Sequence, residues 1–270
     1  MPPTLAILPR LPDTRFELIS IAEALEADLV KALYLGKAAN EQNVETLDRS
    51  HYRIVAFSTH GLVTGDLDGL TQPALALTAP DVAGVKGDGL LTMEKILALK
   101  LDADWVVLSA CNTAAGAGAE AASGLGSAFF YAGTRALLVT NWSVHSASAR
   151  ELITDLFRRQ RADSALTRGE ALHQAMMALL DGPGAVDGSG RTVYSYAHPL
   201  FWAPYSVIGD GGGTWGGRFS SRRALGGGRR PLGDFCTGVK KGSRDLDSSA
   251  TDWPRDDVIC CYLIRRTVGD

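Results

Sequence analysis

The stretch DWVVLSACNT, Asp104 to Thr113, opens as a strand that belongs in a core and closes on a cysteine. Val106, Val107 and Leu108 follow one another without alternation, as expected of a strand covered on both faces. Ser109, Ala110, Cys111, Asn112 and Thr113 then turn the run polar, and the small-residue stretch AAGAGAEAASGLG follows. A second stretch, YRIVAFSTHG from Tyr52 to Gly61, has the same design and ends on His60 and Gly61. Two such strands with a helical pattern between them predict an open, mostly parallel sheet.

The pattern extends outward from these two. Thr14 and Glu17 have capping-box spacing, ahead of Leu18, Ile21, Ala22 and Leu25 on one helical face. KALYLG reads as a short buried strand, NEQNVETL as a short helix capped by Asn40, and PALALTA as a further strand. LLTMEKILALKL reads as a helix capped by Thr92, and SGLGSAFFYAG as a small-residue helix ending at Gly133. RALLVTNW is then a strand and SARELITDLFRRQ a helix; Ser164 is placed to cap ALTRGEALHQAMMALL, and FWAPYSVIGD closes the series as a strand. The predicted core strands are Ala32–Leu35, Ile54–Phe57, Val106–Leu108, Leu137–Thr140 and Tyr205–Ile208, with helices on both faces of the sheet. No repeat period is visible.

From about Gly211 the texture changes to Gly and Arg clusters without periodicity, so residues 1–213 are expected to form the domain and 214–270 a Gly/Arg-rich, disordered tail. Within that tail VICCYLIRR has the character of one strand, but with nothing obvious to pair with. The tail holds 11 Lys/Arg against 7 Asp/Glu, a balance of +4, which leaves −7 for the rest of a chain of net charge −3. A mildly acidic body argues against nucleic acid, which calls for a clustered basic face. No apolar run approaches the roughly 20 residues needed to cross a bilayer. The N-terminus lacks the features of a signal peptide. Cys111, Cys236, Cys260 and Cys261 form no disulfide framework, so a cytoplasmic protein is expected.

In an open parallel sheet the functional crevice lies outside the carboxyl ends of the strands, where both His60 and Cys111 are expected to emerge. A thiol beside an imidazole can become a nucleophilic thiolate. Gly61 has no side chain to keep a carbonyl from its N–H, and that N–H together with the N–H of Cys111 can hold an oxyanion. On pattern alone, the bland alternatives stand beside this one: a lone cysteine as a small buried hydrophobe, a lone histidine as a hydrogen-bonded structural residue. Asp66 is a candidate for the substrate cleft or a solvated turn residue; Trp142 walls the cleft or packs in the core. Ser109 and Asn112, flanking the nucleophile region, complete the cleft candidates. No metal-ligand spacing, phosphate loop or dinucleotide fingerprint is present, so no metal or cofactor is expected.

FSTHGLVTGD, DWVVLSACNTAAG, GLGSAFFYAGTRALLVTNWSV and HPLFWAPYSVIGDG together resemble the CHAT domain, a caspase-like peptidase domain usually found with tetratricopeptide repeats. The similarity runs from about Leu8 to Gly213 and starts inside the family's usual region, so a domain shortened at its N-terminus is expected. The resemblance implies a caspase-type three-layer α/β sandwich and a cysteine endopeptidase, latent until activated. In it His60 is base and acid, Cys111 the nucleophile, and Gly61 with Cys111 the oxyanion hole. The partners implied are a protein or peptide substrate and a tetratricopeptide-repeat or other regulatory protein acting in trans. The His-to-Cys separation of 51 residues matches the caspase order, in which the His lies about 50 residues upstream. A silent pseudopeptidase serving as an interaction module is the competing expectation. After Trp142 relatives often carry an acidic residue, whereas here Val144 is followed by His145 and Ser146.

Overall fold

The computed structural model describes residues 5–46, 52–110, 124–213 and 260–265. A 3-10 turn at Leu5–Ile7 leads into α1 (Pro12–Ala24), α2 (Leu29–Ala32) and β1 (Leu33–Tyr34). After α3 (Glu41–Thr46), β2 (Tyr52–Ser58) enters the core, followed by β3 (Gly61–Leu62), β4 (Ala74–Ala76), α4 (Pro80–Ala83), β5 (Leu90–Thr92) and α5 (Met93–Ala98). Next come β6 (Trp105–Ser109), α6 (Leu125–Tyr131), β7 (Ala136–Thr140), α7 (Ser146–Ala162) and α8 (Arg168–Asp181). The hairpin β8 (Ala185–Val186) and β9 (Thr192–Tyr194) precedes β10 (Tyr205–Gly209), and β11 spans Cys260–Arg265.

Six strands form the central sheet in the order β1-β11-β2-β6-β7-β10, while β3, β4 and β5 form a small antiparallel sheet. The unbroken apolar runs are explained by two cores. Ile54, Ala56, Trp105, Val107 and Leu138 point to α1, α7 and α8. The alternate residues Val55, Phe57, Val106, Leu108, Leu137 and Val139 pack with Val44, Ile96 and Phe129 of α3, α5 and α6. Period-two alternation therefore fills both faces, and the molecule is a three-layer α/β sandwich, as the sequence predicts.

Strands β1, β2, β6 and β7 run in one direction, with β2–β6 and β6–β7 paired in parallel. β10 runs against β7. A single crossover helix returns the chain to the end of the sheet from which a parallel strand starts. Between β7 and β10 the chain makes two such passes, α7 and then α8, and so arrives at the opposite end.

Three expectations need correction. VICCYLIRR does find partners: β11 lies between β1 and β2, antiparallel to both, with Tyr262 opposite Leu33 and Ala56. The short strand β1 and the long strand β2 leave one strand's width between them, and this run fills it, so the sheet draws a strand from beyond Gly213. The remainder of the expected tail, 214–259 and 266–270, lies outside the described residues. Thr14 and Glu17 make no capping box. Pro12 starts α1, Thr14 Oγ1 donates to the Leu11 carbonyl at 2.7 Å, and Glu17 is buried instead. Thr167, rather than Ser164, caps α8, because Thr167 and Glu170 form the reciprocal capping box. Asn40 and Thr92 cap α3 and α5 as expected: Asn40 Oδ1 accepts from Asn43 N–H at 2.9 Å, Thr92 Oγ1 from Lys95 N–H.

Gly133 ends the α6 region at φ +106°, and a Cβ there would lie 2.1 Å from the Leu101 carbonyl oxygen. The backbone is thus both left-handed and pressed against its neighbour. Gly133→Ala is expected to cost more than about 2 kcal/mol of unfolding free energy, read from urea denaturation midpoints. A midpoint equal to wild type would show that the turn relaxes freely.

Candidate functional site

The parallel strands β2, β6 and β7 end at one edge of the sheet. Ser58 pairs with Ser109 on the last rung of the β2–β6 ladder, and the Thr59 N–H reaches the Ser109 carbonyl at 3.3 Å. His60 stands two residues beyond that rung on one strand. Ala110, one residue beyond it on the other, is held by the Thr140 hydroxyl, which donates to its carbonyl. Cys111 and Asn112 lie outside the described residues.

His60 is fixed from several sides. The Thr59 hydroxyl donates to the Ala76 carbonyl at 2.5 Å, and the Ala76 N–H donates to the His60 carbonyl at 3.0 Å. Gly61 begins β3 opposite Leu75. Because the flanking residues His60 and Ala76 make the ladder bond, Gly61 occupies a non-hydrogen-bonded position, and its N–H is not taken up by Leu75. The ring itself is half-buried, and Nε2 lies 2.7 Å from the carbonyl oxygen of Pro9. A carbonyl only accepts, so Nε2 carries a hydrogen and Nδ1 is the nitrogen left to exchange a proton. Pro9 reaches this point because Leu5 and Leu8 pack on Leu62, Leu67, Leu70 and Leu90 around the small sheet.

Below the strand ends sits a group whose burial the sequence did not reveal. Glu17 projects from α1 and is 3% exposed; the Ser58 hydroxyl donates to its Oε2 at 2.9 Å. The Ser109 hydroxyl lies beside the same carboxyl group, although Oε1 completes no hydrogen bond of good geometry. Burial pushes this carboxyl up from 4.5 to about 7, against the opposing pull of the Ser109 and Ser58 hydroxyls and the Arg150 charge. A carboxyl raised by folding keeps its proton while the unfolded chain loses it. Stability is therefore full below pH 4.5 and declines as pH rises to about 7. The loss is on the order of 3 kcal/mol. Glu17→Gln should lack this component, so the wild-type-minus-variant difference in denaturation midpoint should change between pH 5 and pH 8. Identical slopes in the two proteins would contradict a raised Glu17.

The remaining candidates distribute as follows. Ser109 is buried and faces Glu17 across the α1 side of the sheet. Trp142 is exposed, two residues past the end of β7 at the same edge. Asp66 is exposed, and its Oδ2 accepts from the Val63 N–H at 2.8 Å, so it closes its own turn. His145 caps α7 by accepting from the Ser148 N–H through Nδ1. Its Nε2 meets the Tyr194 hydroxyl at 3.0 Å. Among the described residues no group of three or more His, Cys, Asp or Glu is arranged to hold a metal ion, and no described helix is long and apolar enough to cross a membrane.

Glu17, Thr59, Pro9 and Thr140 were not singled out as site residues by sequence. Only Glu17 left a trace, a carboxylate placed within the apolar stripe of Leu18, Ile21 and Leu25, where the capping-box spacing offered a rival explanation. Backbone acceptors such as the Pro9 carbonyl leave none.

No curated protein sequence matches the chain. The family model of the CHAT domain matches residues 3–210, which takes in the whole sandwich up to β10, the His60 strand and the Cys111 strand. The chain belongs to the CHAT domain family, and with it to the proteins that share the caspase-like, peptidase-related fold.

Proposed function

We propose that the protein is a cysteine endopeptidase working through His60 and Cys111, held latent until a protein partner activates it. The observation that carries this reading is the Ser58–Ser109 rung, which ends two neighbouring parallel strands, because in the sequence His60 comes two residues after Ser58 and Cys111 two residues after Ser109. In this scheme the Cys111 thiol passes its proton to His60 Nδ1, and the sulfur attacks the scissile carbonyl. The Gly61 and Cys111 N–H groups receive the oxyanion. The imidazolium then gives its proton to the departing amine as the C–N bond breaks, leaving a thioester on Cys111. Water, deprotonated by the same ring, hydrolyses that thioester and frees the thiol. The Pro9 carbonyl supports the scheme by fixing the ring orientation and stabilising the imidazolium through Nε2–H. Asn112 and Trp142 are the proposed cleft residues, and a tetratricopeptide-repeat protein in trans is the proposed regulator, in a cytoplasmic setting.

The test is cleavage of a peptide library by the full chain, with and without candidate repeat proteins, comparing wild type with Gly61→Ala and His60→Ala. Cleavage by wild type, slowed by Gly61→Ala and nearly lost in His60→Ala, is expected. Absence of turnover in every activated form would leave the silent interaction module as the reading of the fold.

A further inference from the structure

Glu17, Ser58 and Ser109 meet inside an otherwise apolar layer: the Ser58 hydroxyl donates to Glu17 Oε2 at 2.9 Å, and the Ser109 hydroxyl lies beside the same carboxyl. Ile54 and Ala56 precede Ser58 on its face of the sheet, and Trp105 and Val107 precede Ser109; all four are buried against α1, α7 and α8. At the last rung both strands change from apolar side chains to a hydroxyl, and α1 presents a carboxyl to the pair. Ser58 is 0% exposed and Ser109 5%, so the Ser58 hydroxyl is shut off from water and the Ser109 hydroxyl nearly so. A buried polar group without a partner is costly, and an apolar trio would have avoided the difficulty. Burial therefore ties the Ser58 hydroxyl to the Glu17 carboxyl, with Ser109 beside it, at the point where the two strands lead on toward His60 and Cys111.

We propose that Glu17 is a positioning residue that fastens the ends of β2 and β6 to each other through Ser58 and Ser109, and so sets the spacing of the His60 and Cys111 segments. Its consequence for catalysis rests on the peptidase reading; the fastening itself does not. Strand ends fray, because the last rung has neighbours on one side only. The Thr59 N–H to Ser109 carbonyl bond, at 3.3 Å, is the rung directly above the contact and is its natural reporter. In the reaction, a loosened pair of strand ends lowers kcat with little change in KM, since the distance between base and thiol is altered and the cleft is not.

The experiment is amide hydrogen exchange on the full chain for wild type, Glu17→Gln, Glu17→Ala and Ser58→Ala, with Cys111 alkylation rate measured on the same samples. The Thr59 amide is expected to exchange at least tenfold faster in Glu17→Ala and in Ser58→Ala. Glu17→Gln, which keeps an acceptor and a donor for the two hydroxyls, should remain close to wild type. Amides of Val106 to Leu108 in the strand interior should be unchanged. Where Glu17→Ala does not fold, Ser58→Ala gives the same reading, because it removes the hydroxyl bonded to Oε2 and leaves the carboxyl and Ser109 in place. Thr59 protection equal to wild type in the folded variants would overturn the proposal. So would an equal rise across the whole sheet, or Glu17→Gln as loose as Ser58→Ala. An unreactive Cys111 in wild type would sink the peptidase reading alone, and the exchange pattern would still decide the role of Glu17.

Discussion

Cys111→Ala is expected to abolish peptide cleavage, lowering kcat by about three orders of magnitude or more, while Cys236→Ala retains it. The size of the effect follows from the chemistry: without the sulfur no thioester can form, and the hydrolysis loses its two-step route. The contrast follows from position. Cys111 comes two residues after the Ser109 rung, the place His60 occupies after Ser58. Cys236 comes directly after neither strand in the sequence. His60→Ala should be nearly as damaging, and the double variant no worse than the more damaged single one, because nucleophile and base act as a unit. Peptide cleavage by the activated protein, followed by mass spectrometry, is the measurement; robust cleavage by Cys111→Ala would remove the nucleophile from the account.

Tyr262→Pro carries the largest expected effect on stability of any single substitution. β11 is an interior strand that pairs on both sides, with Tyr262 opposite Ala56 and Leu33. Proline there removes a backbone donor from the ladder and fixes φ away from the extended value, at a cost of about 3 kcal/mol or more. Truncation after Gly213 should be worse still, since it strips β1 of its neighbour and exposes the edge of β2 to self-association. Urea denaturation and light scattering read the two effects. A truncated protein that melts with the full chain and stays monomeric would restore the tail to the dispensable role that its Gly and Arg clusters suggest.

The strands were legible because their runs are continuous and short, bounded by turn residues: Ile54–Phe57, Val106–Leu108 and Leu137–Thr140 all fall within observed strands. β10 was legible as a strand but not as an antiparallel one, because direction depends on how many helical passes separate it from β7. β11 was hidden for a related reason. Its own residues announce a strand, while its partners lie about 200 residues away, and local pattern carries no information on pairing at that range. At the site, His60 and Gly61 announce themselves by type and by position at a strand end. Glu17 does not, because a carboxylate one turn into a helix reads equally well as a cap; its role comes from two serines on strands it meets only in the fold.

The central claim is that a base on the β2 end and a thiol on the β6 end act on one carbonyl. The measurement that tests it most directly is labelling of the intact full chain by an electrophilic peptide, with the modified residue mapped by mass spectrometry, in wild type and His60→Ala. Labelling confined to Cys111 in wild type, slowed at least a hundredfold in His60→Ala and blocked by prior alkylation of Cys111, is the expected result. Labelling spread over Cys236, Cys260 and Cys261, or a Cys111 rate indifferent to His60, would contradict it.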